Sequence, residues 1–217
     1  MNIKQLESSV LDNAVAYMVG LTFPLYKTIL IKGKEYIVGS VNHNSNMISH
    51  EDLASHYKIV LRLLAGKNVK LLANQNEDQN ISSKKGFSVL IEKTGVSNEE
   101  CLQLLLNVTK KISRSSVDLK KEFARACFDG RSSWDTTAHY LSIDVDRDYN
   151  RQDAIIEIIE SIGIEINVNR REINHQKNDQ IRIKKNSIDE FMSEIGLYSF
   201  CRTKLINQGL RNGRLKK

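Results

Sequence analysis

RQDAIIEIIESIGIEINVNRRE, residues 151–172, carries two periodicities in succession. Ile155, Ile156, Ile158, Ile159 and Ile162 recur at helical spacing, and Gly163 stops the pattern. Residues 164–169 then read as a strand. Across the polar loop REINHQKND, residues 180–184 read as a second strand, and Ser187 is placed to cap a further helix to Leu197. Helix, strand, strand, helix is the unit from which the rest of the chain is read.

Upstream, residues 117–130 read as a helix with Leu119, Phe123, Ala126 and Cys127 on one side, and residues 134–145 supply strands. The first half has the same order. Residues 10–25 form a helix on Val10, Leu11, Ala14, Val15, Met18, Val19 and Leu21, closed by Pro24. Strands at 28–31 and 36–41 flank the turn Lys32-Gly33-Lys34. A helix over 50–65 is capped by Ser49 and ended by Gly66, strands follow at 69–73 and 87–93 around NQNEDQNISSKKG, and Ser97 caps a helix to residue 112. Each half is therefore αββαββα. The fold class is α+β, with two pseudo-symmetric repeats over residues 1–113 and 114–206 and a basic tail over 207–217. Each repeat offers an antiparallel sheet with one face on helices and the other free to be polar.

Composition narrows the classes. With 217 residues, 41% hydrophobic and 27% charged, the chain can bury a core without staples, and its single proline excludes Pro-rich linkers. Cys101, Cys127 and Cys201 form no CxxC pair, which argues against a zinc ribbon and for a reducing, intracellular setting. The N-terminus lacks a basic region followed by an apolar run, so no signal peptide is expected. No apolar run approaches the ~20 residues of a membrane span. P-loop, GxGxxG and GxSxG motifs are absent, and His43, His50, His56, His139 and His175 show no metal spacing. Asp144, Asp146 and Asp148 alternate as on a strand, without the glycine and terminal Glu of an EF-hand loop. The net charge of +6 concentrates late: Arg170, Arg171, Lys177, Arg182, Lys184 and Lys185, then Arg211, Arg214, Lys216 and Lys217, with no acid after Glu194. That pattern suits a polyanionic partner or a solvated face.

Ala16-Tyr17-Met18-Val19-Gly20-Leu21-Thr22-Phe23-Pro24-Leu25 heads the first repeat, and Phe123-Ala124-Arg125-Ala126-Cys127-Phe128-Asp129-Gly130-Arg131-Ser132 the second. With the ending NDQIRIKKNSIDEFMSEIGLYS and CRTKL, they make the chain resemble the LAGLIDADG family of homing endonucleases, maturases and related DNA-binding proteins. The resemblance implies a saddle of two sheets in the DNA major groove. It also implies two motif helices packed through small residues such as Gly20 and Ala126, and an acid at the foot of each helix holding divalent metal. Here those two places fall on Leu25 and Arg131. Asp129 is then the candidate catalytic acid and metal ligand, or an ordinary Asp-Gly turn residue, and Asp135 the second candidate. Mg²⁺ is the cofactor expected if the chain is a nuclease.

Candidate DNA contacts are Lys32, Lys34, Lys84, Lys85, Arg131, Thr136, His139, Asn167, Asn169, Arg170, Arg182 and Lys184. Strand alternation allows only every second position to face the groove. The leading expectation is a monomeric, sequence-specific double-stranded DNA endonuclease of homing or restriction type. The alternatives are a non-cleaving DNA-binding regulator or an RNA maturase without the acids, or a structural protein whose charge is incidental.

Overall fold

The computed structural model describes residues 1–43, 50–74, 85–135, 137–172 and 176–214. A short helix, α1 (Ile3–Ser8), precedes the first motif. Asn2 Oδ1 accepts from Gln5 N and Gln5 Oε1 accepts from Asn2 N, both at 2.9 Å, closing a capping box, and Ile3 and Leu6 are buried beneath it. Six residues are too few for a helical period to show in sequence. The next helix, α2 (Asn13–Thr22), starts three residues later than expected because Asp12 caps it, Oδ1 accepting from Val15 N at 2.9 Å. Val10 is left outside, 84% exposed.

The chain then forms β1 (Thr28–Ile31), β2 (Lys34–His43), α3 (His50–Leu63), β3 (Lys70–Asn74), β4 (Lys85–Glu92) and α4 (Asn98–Ser113). Lys32 and Gly33 both take positive φ, 49° and 75°, as a two-residue hairpin turn of that hand requires. The second half follows with α5 (Val117–Arg131), β5 (Ser133–Asp135), β6 (Tyr140–Val145), α6 (Tyr149–Ser161), β7 (Ile166–Asn169), β8 (Asp179–Ile183), α7 (Ile188–Glu194) and α8 (Phe200–Arg214). The two antiparallel sheets have the same order, β1-β2-β4-β3 and β5-β6-β8-β7.

Ser187 stands at the N-cap position of α7, but its hydroxyl makes no cap bond to the helix; it accepts from Glu165 N at 3.2 Å and ties the helix entry to the start of β7. Helix α8 continues from Phe200 to Arg214, into the stretch expected as a basic tail. A side chain at Gly209 would collide with the indole of Trp134, so glycine lets α8 lie directly against β5.

The second motif helix, α5, packs along α2 in the same way. A Cβ at Gly20 would overlap Phe123 O and stand 2.7 Å from the Ala126 Cβ. Every residue of α2 after Asn13 is buried. One face of each sheet closes on this pair: Ile37, Val41, Phe87, Val89 and Ile91 from the first, Leu141, Ile143, Val145, Ile181 and Ile183 from the second, all in one continuous core. Among the described residues no helix is long and apolar enough to cross a membrane.

Candidate nucleic-acid interface

Each central helix ends in carbonyls that its own backbone cannot satisfy. At the foot of α2, Arg151 donates through Nη2 to Phe23 O and through Nη1 to Asp146 Oδ2 at 2.8 Å, and lies over the Phe23 ring. Asp146 also receives Tyr26 N at 2.8 Å and sends its own N–H to Pro24 O at 2.9 Å. At the foot of α5, Arg202 donates to Ser132 O, to Ser132 Oγ at 3.0 Å, to Asn42 O and to Gly130 O at 3.3 Å. Burial pulls the Arg202 guanidinium down to about 10, still charged at neutral pH, with Asp129 and Tyr17 opposing the shift. A cation at a helix C-terminus suits the dipole as well as the orphan carbonyls.

Asp129 sits one turn above that foot and is fully buried. Its Oδ1 accepts from Ser199 N at 3.0 Å. Its Oδ2 accepts from Tyr198 N at 3.0 Å and Tyr17 Oη at 3.2 Å, and lies 3.6 Å from His56 Nε2. Burial raises its pKa, but His56 and the two backbone N–H groups outweigh burial and hold the carboxyl below its ordinary value. Tyr17, buried beside it, is pushed well above the usual phenol range and stays a donor. The carboxylate therefore anchors the N-terminus of α8 instead of facing solvent.

The expected metal centre does not fit these residues. Asp129 has both oxygens taken inside the core. Asp135 ends β5 and holds the turn that follows, its Oδ1 accepting from Ala138 N at 2.7 Å and Thr137 N at 2.8 Å, bonds that lower its pKa. Leu25 is buried at 6% exposure. Arg131 brings a cation, half-buried at the end of α5, and its Nε has no hydrogen-bond partner among the described residues. Burial lowers the Arg131 pKa, while Asp146 and Asp144 act against that. Among the described residues no three His, Cys, Asp or Glu side chains gather as a metal set.

The candidate DNA contacts separate by strand register. Paired residues share a face, so Tyr140, Ser142 and Asp144 of β6 lie with Arg182 and Gln180 of β8 and with Asn167 and Asn169 of β7, away from the core. By the same alternation Lys184 shares that face, its Nζ 3.0 Å from Glu165. Arg170 turns instead toward α6, its guanidinium over the Tyr149 ring and 3.5 Å from Asp153. His139 occupies the β5–β6 turn at φ 53°, its ring 6.2 Å from Trp134. On the first sheet Lys34 lies on the open face and pairs with Glu92 at 3.0 Å, while Lys32 is exposed in the turn. Lys84, Thr136 and the side chain of Lys85 lie outside the described residues.

Sequence reasoning missed Tyr140 and Gln180 on this face, although β-strand alternation from Arg182 reaches both. It also missed Arg151 and Arg202, whose roles depend on carbonyls far away in the chain.

Paired four-stranded sheets under two packed motif helices define the LAGLIDADG fold, and this chain has it. The homing endonuclease I-DmoI, solved with DNA and manganese, superposes with a TM-score of 0.50 over 90% of this chain and 98% of that one, at 12% identity. The N-terminal LAGLIDADG domain of WhiA gives 0.53 over 89% of each chain, at 13% identity. Full-length WhiA from Thermatoga maritima gives 0.54 over 97% of this chain and 64% of its own length, at 11% identity. No protein-family model and no curated protein sequence matches the chain.

Proposed function

We propose that this chain binds double-stranded DNA through its open sheet faces and does not cleave it. One observation carries the second half of that reading. At the feet of the central helices stand a buried leucine, Leu25, and an arginine, Arg131, while the nearby acid, Asp129, is enclosed by Tyr17, His56 and the α8 backbone. The first half is supported by the basic, amide-bearing face of the second sheet, by the net charge of +6, and by the DNA-bound state of I-DmoI. Strand side chains would meet base edges in the major groove, and lysines would meet phosphates.

The test is incubation with a mixed pool of duplex DNA, with Mg²⁺ and with a chelator, followed by sequencing of retained fragments and of any new ends. Retention of the same fragments in both conditions, with no new ends, is expected. Discrete metal-dependent ends would restore the endonuclease reading with Mg²⁺ as cofactor. Retention of RNA in preference to duplex DNA would overturn the choice of partner.

A further inference from the structure

The two open sheet faces are chemically unlike. On the first, Tyr36, Val38 and Leu90 form an apolar cluster of their own, 2%, 6% and 2% exposed, flanked by Ile29 and Ile31 and separate from the main core. Polar groups described beside it are turned on each other: Lys70 Nζ donates to Tyr36 Oη at 2.8 Å, and the buried Ser40 and Ser88 hydroxyls face one another at 3.4 Å. Among the described residues such a face can touch a thymine methyl but offers few donors or acceptors to a base edge.

The second sheet presents the opposite chemistry. Arg182 Cζ lies over the Tyr140 ring, 4.4 Å from its centroid, and Arg182 Nε and Nη2 donate to Gln180 Oε1 at 3.4 and 3.0 Å. Gln180 Nε2 in turn donates to Asp144 Oδ1 at 3.0 Å. Asn167 and Asn169 stand directly across from Arg182 and Gln180. Tyr140, Asn167, Asn169, Arg182 and Lys184 line a concave space of about 440 Å³. Arg182 is thus held before any ligand arrives, with Nη1 making no hydrogen bond among the described residues, and less entropy is lost on contact.

From this contrast we propose that base readout is one-sided: the second sheet alone discriminates sequence, with Arg182 as its central specificity residue, and the first sheet only seats the duplex. The inference rests on the DNA-binding reading above. The dimensions suit it. Strands β6 and β7 flank β8 at about 4.8 Å spacing, so the patch is roughly 10 Å across, against a major groove about 12 Å wide. Along β8, residues 180 to 184 span about 13 Å, or roughly four base-pair steps of 3.4 Å.

Selection from random duplex DNA, with sequencing of the bound pool, tests this. One block of about four specified base pairs is expected, flanked on one side by unspecified positions. Arg182→Ala should weaken binding to the selected site by roughly 10- to 100-fold and relax one position in it. Arg182→Lys should keep non-specific affinity yet lose the same preference. Leu72→Ser, on the first sheet at a 44% exposed site where folding is not at stake, should leave the preference unchanged. Two blocks of equal strength, a preference altered by Leu72→Ser, or retention with no preference would each overturn the inference while leaving DNA binding intact. No retention of duplex DNA at all would overturn the underlying reading and this inference with it.

Discussion

Asp129 shows what a buried carboxylate does when its partners arrive from three other elements. Removing it takes away the acceptor of two backbone N–H groups and of the Tyr17 hydroxyl, and the carboxylate beside His56. Each stranded donor costs about 1–3 kcal/mol, so Asp129→Ala should lose at least about 3 kcal/mol in denaturant unfolding. An unchanged midpoint would return the carboxylate to a role in binding or chemistry. Its pKa sets a pH dependence as well. The folded value lies below that of the unfolded chain, so the stabilisation is fully present above about pH 4 and disappears as pH falls through the folded value. Asp129→Asn should therefore flatten the acid limb of the stability curve relative to the parent. None of this was legible beside Gly130, where an aspartate suits a turn or a metal equally well. Its hydrogen-bonding partners lie 69 to 112 positions away, and local pattern carries no information at that range.

Among the elements, those with many turns or clear alternation were legible, and the others were not. The isoleucine face of α6, 0–1% exposed at Ile155, Ile158 and Ile159, announces itself by period. So do β6 and β8, whose Ile143 and Ile181 are register partners. Helix α8 escaped because Asn207, Gln208, Arg211 and Asn212 dilute its apolar face, and its contact with β5 runs through a glycine. That contact is testable, since Trp134 is the one tryptophan in the chain. Gly209→Val should force the helix off the indole, cost about 1–3 kcal/mol by overpacking, and red-shift the fluorescence emission. Gly209→Ala should do the same more weakly, offset by alanine's better helix propensity of about 1 kcal/mol. An unshifted spectrum with unchanged stability would mean that α8 does not rest on β5.

At the scale of the whole molecule, two repeats of one topology carry faces of different chemistry, and charge decides how strongly each meets a polyanion. Non-specific affinity for duplex DNA falls with salt at a slope of about −0.9 per phosphate neutralised. Lys185 lies exposed at the rim of the second sheet's concavity, with no ion pair among the described residues, so it suits a phosphate contact. Lys185→Ala should reduce the slope by about 0.9 and weaken all sequences alike, whereas Arg182→Ala should change preference more than slope. Glu165 works in the opposite direction: it holds Lys184 at 3.0 Å and adds a negative charge beside the groove. Glu165→Gln should free that lysine, steepen the slope and raise affinity by roughly two- to fivefold at low salt, the scale of an exposed ion pair. If instead Lys185→Ala and Glu165→Gln leave the slope untouched, the phosphates run elsewhere, and the basic face of α8 with Lys204 and Arg211 becomes the surface to substitute next.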